Sequence, residues 1–125
     1  MDIEMHSIVP PALLSVTPLV PAGPDLVEAI RFYTDELGFA IVWEGGEMAG
    51  VRRGRVEFNL VQNSNREWAA NASASIGVDG LDALHEEYRK SSAQVGPLEV
   101  KSWGRREFHM ILPSGVCLQF FEAAA

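Results

Sequence analysis

A chain of 125 residues, 47% hydrophobic and 22% charged, suffices for one globular domain with a real core and is too apolar for a disordered segment. Its formal net charge of -7 argues against a nucleic-acid partner, because phosphate binding needs a basic face and would here act against long-range repulsion. The acids read as solvated helix faces, with a cationic ligand as the lesser reading.

The single cysteine, Cys117, has no internal disulfide partner. It reads as a small core residue in a reducing compartment. At the N-terminus, Asp2 and Glu4 stand where a signal peptide carries basic residues, and Pro10, Pro11, Pro18, Pro21 and Pro24 interrupt any helical apolar run. No segment approaches the roughly 20 apolar residues that span a bilayer. A cytoplasmic protein without membrane partners is expected.

Met1 to Pro11 has no period and reads as an extended arm, loose or docked on a partner subunit, with His6 idle. Ala12 to Val20 alternates weakly and predicts a first strand at a sheet edge, because Pro18 lacks a ladder donor. Pro21 to Pro24 is a turn, and Asp25 with Glu28 opens a helix running to Leu37, its buried stripe Leu26, Ile30, Tyr33 and Leu37 with Val27 beside it. Gly38 supplies the left-handed stop. Strands follow over Phe39 to Trp43, Met48 to Arg52 and Arg55 to Gln62. In the last of these Val56, Phe58 and Leu60 take one face, and Glu57, Asn59 and Val61 the other.

Gln62 to Asn71 is polar and reads as a linker, with Trp68 its one large apolar residue. The order then restarts. Ala72 to Val78 predicts a strand, and Asp79-Gly80 caps a helix from Leu81 to about Lys90 with Leu81, Leu84 and Tyr88 buried and His85 at its boundary. A loop from Ser91 to Gly96 leads to a strand over Pro97 to Ser102. The last two strands form a hairpin: Phe108 and Met110 alternate with Glu107, His109 and Ile111, Pro113-Ser114-Gly115 turns the chain, and Leu118 and Phe120 alternate with Cys117, Gln119 and Phe121. Strand, helix and three strands thus occur twice, over about 12–62 and 72–122 with a linker at 63–71. The expected class is α+β in one domain: two βαβββ repeats forming curled antiparallel sheets around a cleft, helices outside.

Several phrases in this order resemble the vicinal-oxygen-chelate superfamily, the group of glyoxalases, bleomycin-resistance proteins and extradiol dioxygenases. They are Phe32-Tyr33 with Leu37-Gly38-Phe39, Met48 to Gly54, Val78 to Glu87, and the Trp103 to Phe108 phrase. Leu112 departs from the family, which places Asp before Pro113. Gln119 departs too, at the slot that metal-dependent members give to Glu.

In those members the cleft holds a divalent ion on four strand residues, usually His or Glu. Carried over, the four positions fall within Ser15 to Pro18, most closely Thr17, and on Asn59, Ser73 and Gln119. All are uncharged. A divalent ion wants carboxylate or imidazole in place of its water shell, and neutral amides are poor substitutes. No metal site and no cofactor is therefore expected; Glu57, His109 and Cys117 remain as donors without a recommending spacing.

The resemblance then points to the bleomycin-resistance branch, which sequesters a cationic drug in grooves at a dimer interface. It implies a metal-independent binder of a cationic or aromatic antibiotic, working as a homodimer. Trp43, Met48, Trp103 and Phe121 are the expected stacking walls, and Asn59, Gln119 and Glu57 the polar contacts. Each aromatic competes with plain core or dimer packing, and Glu57 with an ion pair to Arg55 or Arg106. No nucleophile motif or phosphate loop offers a catalytic residue; Glu57 or His109 would serve as a general base if a pocket tuned it. The alternative is a lyase or dioxygenase of the same superfamily with a non-standard metal site.

Overall fold

A computed structural model describes residues 9–123. Strand β1 (Leu19–Pro21), helix α1 (Leu26–Asp35) and strands β2 (Ala40–Gly45), β3 (Met48–Arg53) and β4 (Val56–Val61) form the first unit. A short helix α2 (Arg66–Asn71) leads to β5 (Ser73–Val78), α3 (Leu81–Tyr88), β6 (Gln94–Val95), β7 (Glu99–Val100), β8 (Arg106–Ile111) and β9 (Cys117–Glu122). The α+β class and the twofold strand-helix-strand order are those expected.

The sheets are mixed in direction. The first has order β1-β4-β3-β2 and the second β5-β9-β8-β6, with β7 also on β8. β2–β3–β4 and β8–β9 are antiparallel as predicted, whereas the opening strand of each unit, β1 or β5, runs parallel to its closing strand, β4 or β9. The intervening helix permits this, since a parallel pair needs a crossover connection.

Each unit buries one sheet face under its helix by the same aromatic device. In the first, Phe39 and Phe58 stack at 5.8 Å and Tyr33 meets both edge-on. In the second, Phe108 and Phe120 stack at 5.0 Å and Tyr88 meets Phe120 edge-on. The two sets belong to one continuous core. Contacts between the units are made on this helix side: Tyr88 Oη donates to Leu37 O at 2.7 Å, Ser92 N donates to Glu36, and Arg53 reaches Glu87. No hydrogen bond or ion pair among the described residues joins the opposite, open faces.

Local chemistry explains where the elements begin and end. Asp25 caps α1 by accepting from Glu28 N at 3.1 Å, as predicted, and Gly38 takes the left-handed conformation that ends it. Of the predicted stripe, Leu26, Tyr33 and Leu37 are buried, but Phe32 joins them while Val27 is exposed and Ile30 half-buried. Helix α3 is capped from outside its own sequence. Gly80 has no side chain to offer, and the Glu122 carboxylate on β9 accepts from Gly80 N and Leu81 N, each at 3.3 Å.

Three expectations are corrected. The first strand covers Leu19 to Pro21 rather than Ala12 to Val20: Pro18 O still accepts from Asn59 N, but Pro18 has no N–H with which to extend the ladder toward the N-terminus. It is an edge strand, as expected. The 62–71 segment is not all loop: Asn65 Oδ1 accepts from Glu67 N and Trp68 N and starts α2. The strand expected over Pro97 to Ser102 shrinks to the two residues of β7, and the two-residue β6 falls within the stretch expected as a loop. Of the N-terminal arm, Met1 to Ile8 with His6 lies outside the described residues.

Candidate functional site

The pleat carries every second residue of β3, β4, β8 and β9 away from the core, onto the two open faces. On the first sheet, Gly50 pairs with Asn59, Met48 with Val61 and Arg52 with Glu57 across β3 and β4. Trp43 of β2 lies over this row. Its indole occupies the space a side chain on Gly50 would fill, so only glycine admits the ring there. The predicted residues Trp43, Met48, Glu57 and Asn59 therefore share one face. Asn59 Oδ1 is buried there without a hydrogen-bond partner among the described residues.

On the second sheet, Glu107 pairs with Phe121, His109 with Gln119 and Ile111 with Cys117. The predicted Trp103, Gln119 and Phe121 meet on this face, together with residues that alternation alone does not single out. Glu107 is completely buried although it faces away from the core, because Trp103 and Arg105 reach over it. Trp103 Nε1 donates to Glu107 Oε2 at 3.0 Å, Arg105 Nε to the same oxygen at 2.8 Å, and His109 Nε2 lies 2.6 Å from Oε1. Burial alone would raise this carboxyl; the hydrogen bonds from His109, Arg105 and Trp103 outweigh it and hold the pKa down at about 2.

The same side chains form two stacks. Trp103 and His109 lie nearly parallel with ring centres 6.3 Å apart, and the Arg105 guanidinium sits 3.9 Å above the Phe121 ring while donating to Ser75 Oγ. Trp103 nevertheless remains 60% exposed, so a face of its indole is available. Of this cluster, the strand period places only Glu107 and His109 on one side; Trp103 and Arg105 precede β8 in a turn through Gly104 and are brought over Glu107 by that turn. Taken singly, Glu107 is one more polar member of an alternating strand.

The register also sharpens the repeat. Asn59 and Gln119 occupy equivalent places, as expected, beside Leu19 and Ser75 on the parallel neighbours and Gly50 and His109 on the antiparallel ones. The donors carried over from metal-dependent relatives, Thr17, Asn59, Ser73 and Gln119, are uncharged, and the described residues contain no group of three or more His, Cys, Asp or Glu placed to hold an ion. This donor set does not fit a divalent metal. Burial pushes the Cys117 thiol up, which makes it a weaker nucleophile and ligand still. Arg106, considered as a partner of Glu57, is instead bound to Asp82 of α3 at 2.6 Å.

Grooves of about 370 and 620 Å³ run along the seam between the units, and neither contains any of the predicted ligand residues. The predicted residues instead lie on the two curved open faces. No helix among the described residues is long and apolar enough to cross a membrane.

Comparison with known proteins agrees with this geometry. No family model matches the sequence. The bleomycin-binding protein from bleomycin-producing Streptomyces verticillus, solved with copper(II)-bleomycin, is 30% identical with a TM-score of 0.81, over 90% of this chain and 98% of that one. The bleomycin resistance proteins of Staphylococcus aureus and Geobacillus stearothermophilus are 26% identical over 88% of this chain and 97% of theirs. A glyoxalase/bleomycin resistance protein/dioxygenase from Nocardioides shares the fold at 16% identity and a TM-score of 0.72. The fold and its open faces define a member of the vicinal-oxygen-chelate superfamily, and the chain belongs to its bleomycin-resistance branch.

Proposed function

We propose that this chain binds bleomycin or a closely similar cationic glycopeptide and sequesters it unchanged, without a metal ion of its own, in the cytoplasm. The 125 residues act as one domain of two repeats, about 12–62 and 72–122, joined by 63–71. The observation that carries the reading is the second open face, where the exposed Trp103 indole and the Gln119 amide accompany a buried Glu107 bonded to Trp103, Arg105 and His109, with no group of three or more His, Cys, Asp or Glu placed to hold an ion among the described residues. Such a surface offers stacking area and fixed polar contacts to a planar, polar ligand. The excess of acidic residues favours a cation. The 30% identity with a bleomycin-binding protein supports the same ligand class.

In this reading the chain works as a homodimer. One open face is a single wall, and the contacts within the chain lie on the helix side, so a second copy supplies the opposite wall. Trp43, Met48, Glu57 and Asn59 then face Trp103, Gln119 and Phe121 across the groove. The exposed apolar side chains of the N-terminal segment, Val9, Leu13, Leu14 and Val16, support a docking role on the second copy.

Titration with metal-free bleomycin in the presence of chelator, followed by tryptophan fluorescence, tests the proposal. A saturable change at micromolar drug is expected. A flat titration overturns the ligand assignment, and one that appears only after adding divalent metal overturns metal independence.

A further inference from the structure

The Glu107 cluster fixes more than the position of Trp103. A carboxylate held ionised has no hydrogen to give, and Oε2 already accepts from Trp103 Nε1 and Arg105 Nε. The close contact between Oε1 and His109 Nε2, 2.6 Å, therefore requires the hydrogen to sit on Nε2. Arg105 supplies a fixed cation beside Glu107, at 2.8 Å. In the neutral ring Nδ1 is left as a lone-pair acceptor. It makes no hydrogen bond to any described residue, and the side chain is 29% exposed on the open face beside Gln119.

We propose that His109 is a specificity-determining residue of the ligand groove: Glu107 holds its ring in the Nε2–H tautomer, and Nδ1 accepts a hydrogen bond from an N–H or O–H donor of the ligand. This rests on the ligand-binding reading above. The ring is oriented from two sides, by the carboxylate at one nitrogen and by the near-parallel Trp103 indole on its face. A fixed acceptor beside an exposed indole selects a planar ligand that carries a donor at its edge, and disfavours one that presents an acceptor or an apolar group there, which would leave Nδ1 unpaired. Gln119, the cross-strand neighbour, adds an amide that can either donate or accept, so His109 is the group whose polarity is set by the protein.

Nitrogen NMR of the full-length, isotope-labelled protein at mildly alkaline pH reads the tautomer without any ligand. His109 is expected to show a protonated Nε2 and an unprotonated Nδ1, and Glu107→Gln to mix the two tautomers. An Nδ1–H tautomer in the wild-type protein overturns the proposal. Adding metal-free bleomycin to saturation is expected to shift Nδ1 while Nε2 keeps its hydrogen; an unchanged Nδ1 in the saturated complex also overturns it. His109→Phe, which keeps a ring against Trp103 but removes the acceptor, should bind about tenfold more weakly, the effect of one lost hydrogen bond. Unweakened binding by this variant contradicts the assignment. A wild-type protein that does not respond to bleomycin at all defeats the function proposed above and the ligand role of Nδ1 together, and the tautomer of the free protein distinguishes that outcome from an error in the cluster itself.

Discussion

Arg53 of the first unit forks onto Glu87 of the second, Nη1 to Oε2 at 2.7 Å and Nη2 to Oε1 at 3.1 Å, and the same Nη1 donates to Leu37 O at 2.9 Å. One side chain thus ties β3 to the end of α1 and to α3. Both partners are over a third exposed, so the ion pair itself is worth little, and most of the effect lies in the hydrogen bonds to Leu37 and to the Tyr88 hydroxyl. Arg53→Ala should destabilise by about 1–2 kcal/mol and Glu87→Gln by less than about 1 kcal/mol. Denaturant melts of the two variants check the order; a larger loss for Glu87→Gln would mean that the ion pair, and not the hydrogen bonds, dominates.

Gly50→Ala tests the wall on the first sheet. A methyl group there overlaps the Trp43 indole, and because Trp43 is 38% exposed the ring can swing out into solvent. The expected result is a red-shifted tryptophan emission, a stability cost below about 1 kcal/mol and weaker ligand binding. Emission and affinity identical to wild type would remove Trp43 from the groove.

Glu107 predicts a pH dependence with a definite sign. Its folded pKa, about 2, lies below the ordinary value of 4.5, so the folded state binds fewer protons than the unfolded state between these limits. The stabilisation is complete above about pH 4.5 and fades as pH falls through about 2. Glu107→Ala leaves Trp103, Arg105 and His109 without their shared acceptor and should cost about 3 kcal/mol at neutral pH. Thermal melts from neutral pH down to about 2 should show wild type and Glu107→Gln converging on the acid side; parallel curves would mean the carboxyl is not held ionised.

Much of the fold was legible because alternation is unambiguous where large and polar residues take turns. Phe58 and Leu60 against Glu57 and Asn59, or Phe108 and Met110 against His109, give each strand its two faces without help from the rest of the chain. Long-range effects were not legible. The cap of α3 comes from Glu122, far downstream on β9, and the parallel pairing of β1 with β4 depends on the helix between them. Within the site, Trp103, Gln119 and Phe121 stood out by type. Glu107 did not, because a charged residue within an alternating strand reads as solvated until its donors are seen to cover it.

The arm offers a test of assembly. Leu13 and Leu14 are almost fully exposed in the single chain. If the arm docks on a second copy, Leu13→Asp with Leu14→Asp should shift the protein from dimer to monomer, read by light scattering on a sizing column, with the circular dichroism spectrum unchanged. A dimer of unaltered mass would place the interface elsewhere.

The proposed function requires the open faces to hold a bleomycin-class ligand without a metal of the protein's own. Native mass spectrometry of untagged protein, exchanged through chelator and mixed with metal-free bleomycin, tests this most directly. A protein ion carrying the drug and no metal is expected, as is loss of that adduct when Trp103 is changed to Ala. Protein that takes up no drug, or takes it up only with a stoichiometric metal, would contradict it.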